Sequence, residues 1–224
     1  MEKNNGFVYA LEERIGQPRL FVGRKEELDF LHKWLEDIPR KLSHSTAILS
    51  RRKKGKTALV ERLYNIVFNQ QGMVVPFYYE VAEGKKWLVS FARDFYINFI
   101  IQYIAFKVND PEILKRAYVL NELKELASKY NFINILDDIV SFIKVNQTSE
   151  DVDAVWKYAR TAPHRIARLN DDFILQIIDE FQFLNSEISR DKATTVIMED
   201  LAGSYLSLAE SKLAPLLVTG SWVG

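Results

Sequence analysis

Cysteine is absent from this 224-residue chain, which removes disulfides, zinc–thiolate centres and thiol catalysis, and suits a reducing, cytoplasmic setting. Net charge is absent too: 30 Lys and Arg balance 30 Asp and Glu, so the global basicity that drives non-specific nucleic-acid binding is missing. The six prolines and nine glycines are scattered, which leaves no low-complexity linker and no evident domain boundary. Long hydrophobic runs are also lacking. The most lipid-like stretch, Phe95 to Phe106, carries Asn98 and Gln102 within twelve residues, whereas a spanning helix needs ~20 apolar ones. It predicts a core helix and no membrane contact. The opening Met1 to Asn5 has no apolar signal-peptide core, so export is not expected.

What the chain does have is apolar and aromatic surface to bury: 48% hydrophobic residues, with 14 Phe, 10 Tyr and 4 Trp, which excludes intrinsic disorder. At one domain per ~100–200 residues, residues 1–224 read as one large domain. It comprises an N-terminal extension over 1–18, a core, and a helical insertion over 85–170.

An extended piece, Arg19 to Gly23, leads into a helix over Arg24 to Leu35, where Leu28, Leu31 and Leu35 recur at helical spacing, ending near Ile38-Pro39. Thr46 to Leu49 predicts a buried strand, and Thr57 to Phe68 an amphipathic helix. Val74 to Val81 is β-branched and aromatic, a second strand whose Pro76 favours its beginning or a sheet edge. The helical insertion predicts breaks near Asn109-Asp110-Pro111, Lys129-Tyr130-Asn131 and Asn146 to Ser149. Phe173 to Ile178 is a near-continuous apolar run, as a strand buried on both faces requires, and it ends in Asp179-Glu180. A last helix is predicted over Thr194 to Ala209 and a fourth strand over Leu216 to Ser221. Strands alternating with helices imply an α/β parallel sheet, whose ligands bind at the carboxyl ends of the strands.

Three motifs fall at those ends. Ser50-Arg51-Arg52-Lys53-Lys54-Gly55-Lys56-Thr57 matches the phosphate-binding pattern G-x-x-x-x-G-K-[ST] everywhere but its first position, where Ser50 replaces Gly. In that pattern backbone N–H groups and a helix N-terminus surround a phosphate, the Lys reaches its oxygens and the Thr ligates Mg²⁺. Gly55 is expected to permit close backbone approach, and Ser50 to cost more than Gly wherever positive φ is needed. The second motif, Leu175 to Glu180, delivers two adjacent acids from an apolar strand; in phosphoryl transfer the first holds Mg²⁺ and the next orients or deprotonates the attacking water. Gln176 inside this run has no assigned role. The third, Thr219-Gly220-Ser221, places small polar groups within reach of the other two. Each has a plain alternative: a solvated basic patch, an acidic turn and an ordinary strand end.

Phe21-Val22-Gly23-Arg24-Lys25-Glu26-Glu27-Leu28, the loop at 50–57, Ile177 to Leu184 and Val218 to Ser221 together resemble the archaeal-ATPase family of the AAA+/STAND P-loop NTPases. The resemblance runs from Arg19 to Gly224, with little contributed by 85–170. It implies a three-layer P-loop core binding ATP and Mg²⁺. The nucleotide would lie against Phe21, Val22, Gly23 and Arg24 and against Ser50, Arg51, Arg52, Lys53, Lys54, Gly55, Lys56, Thr57 and Ala58. Thr57 and Asp179 would hold the metal, Glu180 the water, and Ser221 would serve as sensor beside catalytic Lys56. Family members continue into another core strand, a lid and often a winged helix. The expectation is therefore a core one strand and one lid short, with strand 46–49 uncovered unless a partner, a further copy or the missing part pairs with it. DNA contact would come through that missing part.

Two other readings remain open: a nucleotide-dependent switch with little turnover, and a basic nucleic-acid-contacting module. Net neutrality conceals Arg40 to Arg62, where Arg40, Lys41, Arg51, Arg52, Lys53, Lys54, Lys56 and Arg62 face only Glu61. Arg160, His164 and Arg168 are spaced to share a helical face and could contact phosphate, although a solvated basic face is the plainer reading. His32, His44 and His164 are too dispersed to form a metal site.

Overall fold

The computed structural model describes residues 6–16 and 20–221; Met1 to Asn5, Gln17 to Arg19 and Trp222 to Gly224 lie outside the described residues. Among the described residues there are six strands: β1 (Thr46–Ser50), β2 (Val74–Glu80), β3 (Lys86–Trp87), β4 (Phe173–Asp179), β5 (Ile188–Ser189) and β6 (Leu216–Ser221). Four of them form one all-parallel sheet in the order β1-β6-β4-β2, while β3 and β5 pair separately as a two-residue ladder. The helices are α1 (Lys25–Glu36), α2 (Lys56–Gln70), α3 (Leu88–Lys107), α4 (Leu120–Lys129), α5 (Ile133–Thr148), α6 (Val152–Arg160), α7 (Ala162–Asn170) and α8 (Leu206–Ala209). None of them is long and apolar enough to cross a membrane.

Side-chain alternation along β2 assigns the two layers of helix. Phe77 and Tyr79 meet Phe91, Phe95 and Phe99 of α3 in edge-on contacts, with ring centroids 5.1–5.6 Å apart. Tyr78, between them, points to the opposite face, toward Asp179 and the side on which α2 packs. All seven residues of β4 are buried, as a central strand covered on both faces requires. The stretch Phe95 to Phe106 is the buried core of α3, and its Gln102 reaches back to the sheet: its amide accepts from the Tyr78 N–H and donates to the Tyr78 carbonyl, each at 2.8 Å. Gln176 also has a place, donating from Nε2 to the Ala214 carbonyl at 2.7 Å just before β6 begins.

The segment before α1 is tied along α2. Asn69 exchanges hydrogen bonds with the backbone of Val8, Asn65 with that of Leu11, and Glu61 accepts from the Arg14 N–H at 2.9 Å. The four-residue spacing of Glu61, Asn65 and Asn69 sets them on one face of α2.

Two expectations need correction. The predicted helix over Thr194 to Ala209 exists only from Leu201: a short 3-10 turn, Leu201–Tyr205, followed by α8. Upstream, the Asp191 carboxylate captures the N–H groups of Thr195 and Val196, Thr194 takes a left-handed conformation, and Ile197 bridges to Ser189. A local side-chain acceptor thus outcompetes the helix over a β-branched run that has little helical preference. Arg160, His164 and Arg168 do not share one helix, because α6 ends at Arg160 and α7 starts at Ala162 with Pro163 in its first turn. His164 bonds Ser211 at 2.8 Å, and the Nε and Nη1 atoms of Arg160 are buried without hydrogen-bond partners.

Candidate functional site

The carboxyl ends of β1, β6 and β4 converge where α2 begins. The chain leaves β1 at Ser50, turns through residues 51–55 and enters α2 at Lys56. Ser50 is a strand residue, paired in register with Ser221, so its lack of glycine's freedom costs nothing there; the positive φ values of the loop fall at Lys53 and Gly55. Gly55 is needed for its φ of 76° rather than for space, since an added Cβ would meet only Arg24 Nη2 at 3.9 Å.

Lys56 folds back under the loop. Its ammonium donates to the carbonyls of Ser50 (3.2 Å) and Arg51 (3.3 Å) and to Ser221 Oγ (3.1 Å), and the residue is 7% exposed. Among the described residues no carboxylate lies within 4.0 Å of it. A nearly buried cation answered only by neutral oxygens, at the N-terminus of a 15-residue helix with no acid in its first turn, favours an anion.

Asp179 is the second centre. It is fully buried and receives four donors: Thr57 Oγ1 (2.7 Å) and Tyr78 Oη (3.1 Å) on Oδ2, and Thr219 Oγ1 and the Glu180 N–H (3.0 Å) on Oδ1. Burial, reinforced by the charges of Asp179 and Glu61, pushes the Tyr78 hydroxyl well above its ordinary value and keeps it a donor. Glu61, one turn beyond Thr57, is raised by burial against the lowering bonds from Arg14. Thr57 gives its proton to Asp179, which leaves its oxygen lone pairs free to face a hard cation.

Glu180 takes a left-handed backbone (φ 53°), a conformation that costs a non-glycine residue about 1–2 kcal/mol. This turns the chain sharply off β4 into a 3-10 turn, Phe181–Asn185. Gln182 thereby returns over the strand ends, donating to Glu180 Oε2 and accepting from the Ser221 N–H at 3.2 Å. Ser221 Oγ lies 3.4 Å from the same Glu180 oxygen.

Lys56, Thr57, Asp179, Glu180, Ser50 and Ser221 are therefore brought together. Arg24, left-handed at the start of α1, donates to the Lys54 carbonyl and to Glu27 and so lies on the loop. Phe21 packs beneath the Arg62 guanidinium, 4.6 Å from its ring centroid, and Val22 is 80% exposed. A cleft of about 520 Å³ beside the loop is lined by Arg24, Phe30, Ile48, Leu49, Ser50 and Lys56 among others; Phe21, Val22 and Gly23 lie outside it. Arg52 pairs with Glu83 at 3.2 Å. A larger hollow of about 580 Å³ at the β2 edge holds none of the motif residues.

Sequence reasoning gave Tyr78 and Gln182 no role and named Thr219 only as part of the Thr219-Gly220-Ser221 motif. Strand alternation puts Thr219 on the face of Ser221, but its place opposite Asp179 follows only from the register that pairs Ile178 with Val218. Comparisons with protein-family models, curated proteins and solved structures return no match to this chain.

Proposed function

We propose that this protein is a P-loop nucleoside-triphosphatase core of the AAA+/STAND kind that binds ATP with Mg²⁺ and hydrolyses it. The observation that carries the reading is Lys56: a nearly buried ammonium beneath a glycine-containing loop, held by neutral oxygens only. A polyphosphate is the anion suited to a helix N-terminus, a lysine and a further run of basic residues over 51–54.

The donor set fits Mg²⁺. Thr57 offers an oriented hydroxyl oxygen backed by a buried carboxylate, and Mg²⁺ takes one or two protein oxygens and draws the rest from water and phosphate. Among the described residues no group of three or more His, Cys, Asp and Glu could hold a metal by itself, which suits an ion arriving with the nucleotide. Because Asp179 is sealed beneath Thr57 and Thr219, it would act on the ion through Thr57 and ion-bound water. When bound, Mg²⁺ supplies charge neutralisation at the phosphates.

In the proposed reaction a water attacks the terminal phosphorus in line. Its oxygen forms the new P–O bond while the bond to the bridging oxygen breaks, releasing the diphosphate. Glu180 accepts the water's proton, and Lys56 balances charge on the transferring group. Ser221, in contact with both Lys56 and Glu180, links the two. The free edge of β1, where Leu49 is 61% exposed, is the place for a further strand or a partner.

Single-turnover hydrolysis of ATP with Mg²⁺, with Glu180→Gln as control, tests the reading. Wild type should release phosphate about 10²–10³-fold faster than the variant, as expected for loss of a general base. Equal slow release by both would reduce the site to a binding switch. Polyanion binding that falls steeply with salt and persists at saturating ATP would point to a nucleic-acid module.

A further inference from the structure

We infer that Gln182 is a positioning residue for Glu180, a clamp that fixes one carboxylate oxygen against the end of β6 and leaves the other free for water; this rests on the hydrolase reading above. The amide spans two fixed points. Its Nε2 donates to Glu180 Oε2, and its Oε1 accepts from the Ser221 N–H at 3.2 Å. The chemistry dictates this orientation: a backbone N–H can only donate and an ionised carboxylate can only accept, so a flipped amide would lose both bonds.

Ser221 strengthens the arrangement. Its hydroxyl accepts from Lys56 at 3.1 Å and directs its own proton toward Glu180 Oε2 at 3.4 Å. Glu180 Oε2 is thus engaged from two sides, while among the described residues no hydrogen bond reaches Oε1. That asymmetry is what a water-orienting carboxylate needs, because a base swinging freely about its χ angles loses the near-attack geometry. The left-handed backbone of Glu180 makes the clamp reachable, since it starts the 3-10 turn that carries Gln182 back over the strand ends.

A second observation comes from Gly220. Its backbone lies outside the left-handed region, so conformational freedom does not explain glycine there. Space does: an added Cβ would lie 3.3 Å from Gln182 Oε1 and 3.1 Å from Leu49 Cδ2, tighter than ordinary contact. A side chain at 220 would require the Gln182 amide and Leu49 to give way by a few tenths of an ångström, which disturbs the amide's seat on the Ser221 N–H. Gly220 and Gln182 therefore form one device, in which the strand is bared so that the amide can dock on it.

The test compares wild type, Gln182→Ala, Gly220→Ala, Glu180→Gln and the double variant Glu180→Gln/Gln182→Ala, measuring single-turnover hydrolysis and, separately, ATP·Mg²⁺ affinity. Gln182→Ala and Gly220→Ala should each slow hydrolysis roughly 10- to 100-fold while affinity stays within about threefold, because the clamp acts on the base and not on nucleotide contacts. The double variant should be no slower than Glu180→Gln alone, since a residue acting only through Glu180 has nothing left to position. Wild-type rates in Gln182→Ala, a parallel loss of affinity, or further slowing in the Glu180→Gln background would each overturn the proposal. Wild type no faster than Glu180→Gln overturns the hydrolase reading itself, and the clamp with it, before any Gln182 variant is needed.

Discussion

At the β2 edge of the sheet the outward backbone is partly served. Pro76 has no N–H to leave unpaired, and the Gln102 amide takes both backbone groups of Tyr78, in the manner of one more strand. At the β1 edge no strand pairs among the described residues, and Leu49 stands 61% exposed beside the cleft. The halves they border differ in the same sense. Against β2, the aromatic rings of Phe77, Tyr79, Phe91, Phe95 and Phe99 interlock, and Trp156 extends the cluster from α6. Between β1 and β4, the strand ends carry Ser50, Ser221, Thr219 and Asp179, whose polar groups satisfy one another and Lys56. One half packs aromatic rings; the other gathers mostly buried polar atoms at the carboxyl ends of the strands.

Three substitutions break or sharpen this contrast. Phe95→Ala removes a fully buried ring from the aromatic half and should cost about 3–5 kcal/mol of unfolding free energy by denaturant titration. A loss below about 1 kcal/mol would show that the aromatic cluster is not where stability resides. Gln102→Leu keeps the volume of the edge clamp but leaves the Tyr78 N–H and carbonyl without their partner, and should cost about 1–3 kcal/mol in the same titration. A neutral outcome would mean that water serves this edge equally well. Leu49→Lys on the open edge should stay within about 0.5 kcal/mol of wild type and reduce any concentration-dependent association seen by sedimentation. A large loss of stability there would place β1 in the packed half.

Much of the aromatic half was legible because burial leaves a periodic trace. The runs at 74–81 and 173–178 and the breaks near 109, 130 and 148 all mark real elements. Pro76 also announced its edge position. The stretch 194–200 was misread as helix because the deciding interaction, Asp191 with the N–H groups of Thr195 and Val196, leaves no periodic mark. In the open half, motif spacing picked out Lys56, Thr57, Asp179, Glu180 and Ser221. It gave no role to Tyr78 or Gln182 and named Thr219 only within its motif; Tyr78 and Thr219 reach Asp179 through strand order and register across segments 101 and 40 residues apart in sequence. Ser50 shows the reverse error: as a letter it breaks the pattern, yet as a strand residue it needs none of glycine's conformations.

Among the described residues Lys56 is a cation without a carboxylate partner, and the proposed function makes it the centre of a polyphosphate site. Denaturant unfolding of wild type and Lys56→Ala, each with and without ATP and Mg²⁺, tests this most directly. Wild type should gain about 2.7 kcal/mol at a hundredfold excess of nucleotide over its Kd. Lys56→Ala, freed of a poorly solvated charge, should match or exceed wild type without nucleotide and gain nothing when it is added. Equal stabilisation of both proteins, or of neither, would contradict the claim that this lysine is the centre of a nucleotide site.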